Sequence, residues 1–290
     1  MRNALKDGIY YDMSNEEYHA DSAIGSSTLK TLARKTPAHL RGERKKESVA
    51  FDFGSALHAA VLEPHKNLIV CGPEDRRGKK WTELKTACDE AGKILLTDGD
   101  YTRVMAARDS IFAHSECARF FEGEHHTEVS IFGQWQEQRC KIRPDLWHKE
   151  HHVFLDLKTC VSASPEAFSR SAADYGYHIQ AAFYMAVYNA IYWENHVERF
   201  IFLCVEKEPP YAVALYELDE ETMKEGLLLA LNSLAIYEAC QKKQEWPGYS
   251  KSIEKISIPP YAFRMVEIPA RSGFGANASH KKALIEGEET

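Results

Sequence analysis

Two short motifs in this chain hold residue types suited to one kind of chemistry. Arg143-Pro144-Asp145 is followed, after ten residues, by Asp156-Leu157-Lys158. If residues 141–147 and 153–159 form neighbouring antiparallel strands, Asp145 and Asp156 face each other across the pair. Side chains alternate along a strand, so Asp156 and Lys158 share one face while Leu157 turns to the other. The second strand is otherwise apolar, with Val153, Phe154, Leu155 and Leu157, and carboxylates are costly there unless cations compensate them. Hard oxygen ligands of this kind suit Mg²⁺, with Mn²⁺ as a substitute. The chemistry implied is metal-assisted phosphodiester hydrolysis. On this reading Asp145 and Asp156 hold the metal and the Leu157 carbonyl is a further ligand. Lys158 orients or helps deprotonate the attacking water and offsets charge on the phosphate. An isolated Asp-x-Lys is more often a salt-bridged hairpin; the upstream Pro-Asp and the apolar strand favour chemistry here.

Two further stretches supply candidate partners. His58 closes Gly54-Ser55-Ala56-Leu57-His58 on an otherwise apolar helical segment, where an imidazole needs a polar partner or a metal. A core histidine satisfied by a backbone carbonyl is the alternative. Gln180, Tyr184 and Tyr188 recur every four residues and share one helix face, beside an apolar stripe of Ile179, Phe183, Val187 and Ile191. Tyrosine ladders are usually packing, but the glutamine gives this face a polar end that could meet a DNA backbone or base.

The elements that must position these residues follow from pattern and punctuation. Ser14 to Glu17 has capping-box form and starts a short helix. Ser26 or Ser27 caps a second, which should stop near Thr36 because Pro37 disfavours helix in the residue before it. Residues 51–62 read as a helix closed by Pro64, residues 76–80 as an exposed basic loop, and residues 100–121 as one helix. Residues 128–132, 138–147 and 152–159 read as a three-stranded antiparallel meander. A helix over 177–195, a strand pair over 199–207 and 211–218, and a helix capped by Asp219 and running to about residue 243 complete the pattern. The expected fold is a single α/β domain over residues 1–268, with a central mixed β-sheet flanked by helices. Residues 269–290 are expected to be a flexible tail.

Composition narrows the class. At 44% hydrophobic and 27% charged, the chain resembles an average globular protein, which argues against fibrous, disordered or disulfide-scaffold classes. No apolar run approaches the roughly 18 residues needed to cross a bilayer, so a cytoplasmic protein without membrane association is expected. Seven cysteines never fall as C-x-x-C, which disfavours a zinc ribbon or cysteine-ligated cluster. His125-His126 and His151-His152, even with Cys140, lack zinc-site spacing and read as surface turns. No phosphate loop is present, since Gly273-Phe274-Gly275 is only a glycine pair. A net charge of −7 opposes phosphate binding unless it is segregated. Basic clusters at 41–46 and 76–80, against acid at 219–225 and 286–289, predict a basic, metal-filled channel on an acidic body.

Taken together, Gly-x-x-x-His at Gly54 to His58, Pro-Asp at Pro144-Asp145, Asp-Leu-Lys at Asp156 to Lys158 and Gln-x-x-x-Tyr at Gln180 to Tyr184 resemble the RecB-type branch of the PD-(D/E)XK nucleases. Within that branch, Tyr18-His19-Ala20-Asp21, Ser27-x-Leu29-Lys30, Thr36-Pro37-Ala38-His39 and Trp246-Pro247-Gly248-Tyr249 resemble the nuclease domain of the exonuclease VIII (RecE) family of phage-type recombination exonucleases. The resemblance spans about residues 8–265. It implies a restriction-endonuclease-like core and a Mg²⁺-dependent exodeoxyribonuclease of phage or prophage type. Such an enzyme digests linear double-stranded DNA from 5′ ends and leaves 3′ overhangs for a single-strand annealing recombinase. It also implies a ring-like homo-oligomer such as a tetramer, and two ions per site. Carried over by motif, His58, Asp145, Asp156 and Lys158 are the catalytic set, with His58 and the Leu157 carbonyl among the metal ligands. Glu128 assists a second metal, and Gln180 and Tyr184 are accessory DNA contacts. The grouped cysteines of some relatives are missing here, as is the long region that precedes the nuclease domain in others, so a single activity is expected. The rivals are a structure-specific or other-polarity endonuclease of the same fold, and a catalytically silent DNA-binding or assembly module. The silent module would be expected to break the metal set, yet Asp145, Asp156 and Lys158 are all present.

Overall fold

The computed structural model describes residues 5–42 and 53–260. The expected tail, the glycine pair near residue 274, the acid at 286–289, most of the 41–46 basic cluster and the first two residues of the expected 51–62 helix lie outside the described residues. The chain divides into two units, Met1–Gly248 and Tyr249–Thr290. In the second, residues 250–252 make a small turn in which the Ser250 hydroxyl accepts from the Ser252 amide at 3.1 Å.

The first unit runs β1 (Gly8–Tyr10), α1 (Asn15–Ala20), α2 (Ser26–Arg34), α3 (Pro37–Gly42), α4 (Phe53–Leu62), β2 (Ile69–Cys71), α5 (Lys79–Glu90), β3 (Ile94–Leu96), α6 (Asp98–Ala113) and α7 (Ser115–Ala118). It continues with β4 (His125–Thr127), β5 (Ser130–Trp135), β6 (Gln138–Ile142), β7 (Leu146–His148), β8 (Val153–Cys160), α8 (Pro165–Tyr175), α9 (Tyr177–Ile191), β9 (Arg199–Glu206), β10 (Val213–Glu217) and α10 (Glu220–Lys243). A five-stranded sheet in the order β10-β9-β8-β7-β4 is mixed: β8 and β9 are parallel and the other neighbours antiparallel. A three-stranded sheet, β1-β5-β6, and a parallel pair, β2-β3, stand beside it. The expected mixed sheet flanked by helices is therefore observed.

Strand β8 opens with apolar Val153, Phe154 and Leu155 because both its faces are covered. Phe154 packs toward α9 with Phe183, Tyr188 and Phe202. Val153, Leu155 and Leu157 pack the other way, with Leu57 of α4 and with Val104 and Ile111 of α6. Each such fully buried side chain contributes roughly 1.5–3 kcal/mol relative to an exposed one. Two hydrophobic cores thus clamp the strand that carries Asp156 and Lys158.

Several boundaries differ from the sequence pattern for identifiable reasons. Residues 138–147 are not one strand: β6 ends at Ile142 in the small sheet and β7 begins at Leu146 in the large one. Pro144 between them has no N–H and a fixed φ, so it cannot continue a ladder. The meander is consequently shared between two sheets. The helix expected over 100–121 starts earlier, where Thr97 caps the Asp100 amide, and breaks at His114, whose backbone is extended. Residues 79–80, read as loop, open α5. Helix α8 adds to the expected elements, with Ser164 as its cap and Pro165 at its first position. Gly176, at φ 64°, ends α8 and caps α9, a left-handed conformation that glycine adopts without strain. The capping box at Ser14 and Glu17 and the Asp219 cap of α10 form as expected. Among the described residues no helix is long and apolar enough to cross a membrane.

Candidate active site

The site forms where the β7–β8 pairing stops. These strands pair only over Leu146–His148 against 153–155, so beyond Leu155 the β7 side of β8 has no strand neighbour. Buried backbone groups must find partners, and two side chains supply them at Leu157. Asp145 Oδ2 accepts from the Leu157 amide at 2.7 Å. His58, from α4, places Nε2 2.8 Å from the Leu157 carbonyl. A carbonyl only accepts, so Nε2 carries a proton, and in the neutral ring Nδ1 is left with a lone pair. Nδ1 lies 3.6 Å from Asp145 Oδ2, two acceptors facing each other in a way that a shared cation relieves.

Glu128 joins them from the other direction. It sits at φ 52°, a left-handed conformation uncommon outside glycine, and its amide donates to the Asp145 carbonyl at 3.0 Å. Ligand atoms of His58, Glu128 and Asp145 all lie within 4.8 Å of one another. Burial, and then the neighbouring Asp145, pushes the Glu128 carboxyl up to about 8. Burial, and then Asp156, pushes Asp145 up to about 6. Carboxylates that resist ionisation in this way gain from a divalent cation. The donor set of two carboxylates, an imidazole and a nearby carbonyl fits Mg²⁺ or Mn²⁺.

Asp156 is 1% exposed. Its Oδ1 accepts from Gln180 Nε2 at 2.6 Å. Its Oδ2 forms an ion pair with the Lys158 ammonium but receives no directed hydrogen bond. Burial opposes the charge on Lys158, yet Asp156 and Asp145 together hold it above the usual lysine range. The ammonium also lies 4.9 Å from the centre of the Tyr177 ring. The structure thus brings His58, Glu128, Asp145 and the Leu157 backbone to one point. Asp156 and Lys158 lie beside it, engaged with each other. Gln180 and Tyr184, 7% and 6% exposed, are not displayed at the surface. Burial, followed by Asp156, pushes the Tyr184 hydroxyl up to about 12.

Two participants escaped the sequence reading. Arg143 is buried and donates to Ser130 Oγ (2.8 and 2.6 Å), Asn15 Oδ1 (2.7 Å) and the Met13 carbonyl (3.0 Å). It ties the start of α1 to β5 immediately before Pro144-Asp145. Lys30, from α2, lies 3.5 Å from Gln180 Oε1. Their only sequence signals were a basic residue beside Pro-Asp and a lysine within the Ser-x-Leu-Lys signature. A cleft of about 490 Å³, lined by Asn15, Ser55, His58, Glu63, Glu128 and Thr159 among others, opens onto the cluster.

A family profile described as a "PDDEXK-like domain of unknown function (DUF3799)" matches residues 25–258. No curated protein matches the sequence. Among solved structures, a "Putative exonuclease" from Eubacterium rectale is similar with TM-score 0.56 and 14% identity, over 86% of this chain and 96% of that one. A "phage related exonuclease" from Haemophilus somnus has TM-score 0.36 and 11% identity, over 77% and 96%.

Proposed function

The chain belongs to the PDDEXK-like domain family, and from that premise we propose that it is a divalent-cation-dependent exodeoxyribonuclease acting on the ends of linear double-stranded DNA. The observation that carries this reading is the convergence of His58, Glu128 and Asp145 within 4.8 Å, beside the Asp156–Lys158 pair. Asp145, Glu128 and His58 would hold Mg²⁺ or Mn²⁺, with the Leu157 carbonyl and Asp156 as the further ligands that the family resemblance implies, and Glu128 gives the set capacity for a second ion. The ion would supply positive charge to a phosphoryl oxygen and acidify a bound water. The chain's own residues supply the rest. Asp145 is aimed by the Leu157 amide. Lys158, kept cationic by Asp156, would orient the attacking water and offset charge on the phosphate. As the water oxygen bonds to phosphorus, one ester P–O bond breaks, leaving a phosphate monoester and a hydroxyl.

The resemblance to exonuclease VIII supports the finer assignments: 5′-to-3′ digestion leaving 3′ overhangs, hand-over to a single-strand annealing recombinase, a ring-like homo-oligomer and a cytoplasmic, phage-related setting. The description "Putative exonuclease" given to the similar fold from Eubacterium rectale favours end-directed cleavage. The test is a time course on duplex labelled at either the 5′ or the 3′ end, beside closed-circular DNA, with Mg²⁺ and with chelator. Linear duplex should be degraded only with the cation, 5′ label should be released first, and circular DNA should stay intact. Cleavage of the circle, or activity in chelator, refutes the proposal. Lys158→Ala should abolish degradation, and undiminished activity in that variant would remove Lys158 from the mechanism.

A further inference from the structure

Helices α2 and α9 meet along matched polar positions. On α9 these are Gln180 and Tyr184, and on α2 they are Ser26 and Lys30, each pair four residues apart and so on one face. The pairing runs antiparallel: the Ser26 hydroxyl bonds the Tyr184 hydroxyl, and Lys30 Nζ lies 3.5 Å from Gln180 Oε1. The other end of the same amide, Nε2, donates to Asp156 Oδ1 at 2.6 Å. A carboxamide has one accepting and one donating end, and here each faces its complement. Turning the amide over would set Oε1 against the Asp156 carboxylate and the NH₂ against the Lys30 ammonium, two repulsions in a buried place.

We propose that Lys30 is a positioning residue: it locks the orientation of the Gln180 amide and, through it, the carboxylate of Asp156. This rests on the reading of the site as a cation-dependent nuclease. Burial, and then Lys158, draws the Lys30 ammonium down to about 8, so stability alone gives little reason to keep a lysine there. Its stem is fitted as well. A Cβ at Gly176 would lie 3.3 Å from Lys30 Cγ and Cδ, so the glycine that caps α9 also leaves room for the lysine to pass. The chain of contacts is therefore α2 backbone, Lys30, Gln180, Asp156 and Lys158. Asp156 has the Gln180 amide on one oxygen and the Lys158 ammonium on the other, and Lys30 governs the first.

Lys30→Met keeps the stem and removes the charge. Titration calorimetry with Mn²⁺ alone, without DNA, should show affinity weakened about 10–100-fold, the usual effect of losing a residue that orients a metal ligand. On linear duplex kcat should fall by a similar factor with KM for DNA unchanged. Gln180→Met should reproduce both losses, and the double variant should lose no more than either single one, because the two act in series. Additive losses, normal Mn²⁺ affinity in Lys30→Met, or a change confined to KM, as for a direct DNA contact, would overturn the proposal. If Lys30→Met does not fold, Lys30→Gln serves the same comparison. Wild-type protein that neither binds Mn²⁺ nor cleaves DNA would overturn the nuclease reading and this inference with it. An active wild type with an unaffected Lys30 variant overturns only the inference.

Discussion

Arg143 offers the most direct test of how the site is anchored. It is 8% exposed, its guanidinium lies 4.2 Å from the centre of the Tyr18 ring, and it reaches Ser130, Asn15 and Met13 through three nitrogens. Arg143→Met retains most of the volume and removes every donor. Asn15 is exposed and can turn to water, and the Ser14 carbonyl, which accepts from Arg143 at 3.3 Å, also accepts from the Tyr18 amide at 3.0 Å. The acceptors left without partners are therefore Ser130 Oγ and the Met13 carbonyl. At about 1–3 kcal/mol each, plus about 1 kcal/mol for the lost ring contact and less the relief of no longer burying a charge, the net loss is roughly 3 kcal/mol. For a domain of this size that corresponds to about 6–12 °C in Tm. Lysine does not repair it, because one ammonium cannot serve three separated acceptors. Urea melts and calorimetry on wild type, Arg143→Met and Arg143→Lys measure this. A loss below about 1 kcal/mol in the Met variant, or full rescue by lysine, refutes the claim that the fork of hydrogen bonds, rather than the charge, holds the segment leading into Asp145.

Other outcomes follow from the same geometry. Glu128 has its carboxyl raised from 4.5 to about 8 by burial and then Asp145. Its contribution to stability is therefore full below pH 4.5 and lost as pH rises through about 8. In chelator the Tm should fall from pH 5 to pH 9, and Glu128→Gln should flatten that fall; parallel curves would contradict the assignment. Gly226→Ala should cost at least about 2 kcal/mol, because its Cβ would meet the His178 carbonyl carbon at 2.6 Å and the carbonyl oxygen still closer, forcing α10 from α9; a neutral effect in urea melts would show that the helices can part cheaply. His58→Ala should abolish the thermal stabilisation that Mg²⁺ gives while leaving the metal-free Tm within a few degrees; a retained Mg²⁺ shift would make His58 a structural partner of Leu157 only.

The carboxylate pair was legible because an antiparallel hairpin makes register arithmetic simple. Leu146 opposes Leu155, so Asp145 falls opposite Asp156 even though Pro144 keeps Asp145 out of the strand. His58 was legible as a polar residue on an apolar helix, and both expectations for it meet in one ring: Nε2 faces a carbonyl and Nδ1 faces Asp145. What local pattern cannot carry is pairing at long range. Lys30 and Gln180 are 150 residues apart, and Arg143 and Asn15 are 128 apart. Neither contact leaves a periodic trace. The short strands β1 to β4, three residues each, are too brief for alternation to register. The inward turn of Gln180 was hidden for a related reason, since periodicity gives a shared face but not what the face meets.

The termination of β7 before Leu157 also bears on which inactive forms of the protein will be manageable. Beyond Leu155, β8 presents an unpaired edge on its β7 side, and unpaired edges recruit strands from other chains. Asp145 and His58 seal it by taking up the Leu157 amide and carbonyl. Stripping either one to silence the enzyme would also uncover a sticky edge, and the double variant should precipitate on concentration. Lys158 seals nothing on that edge, so a Lys158 variant is the better choice for trapping the protein on intact DNA.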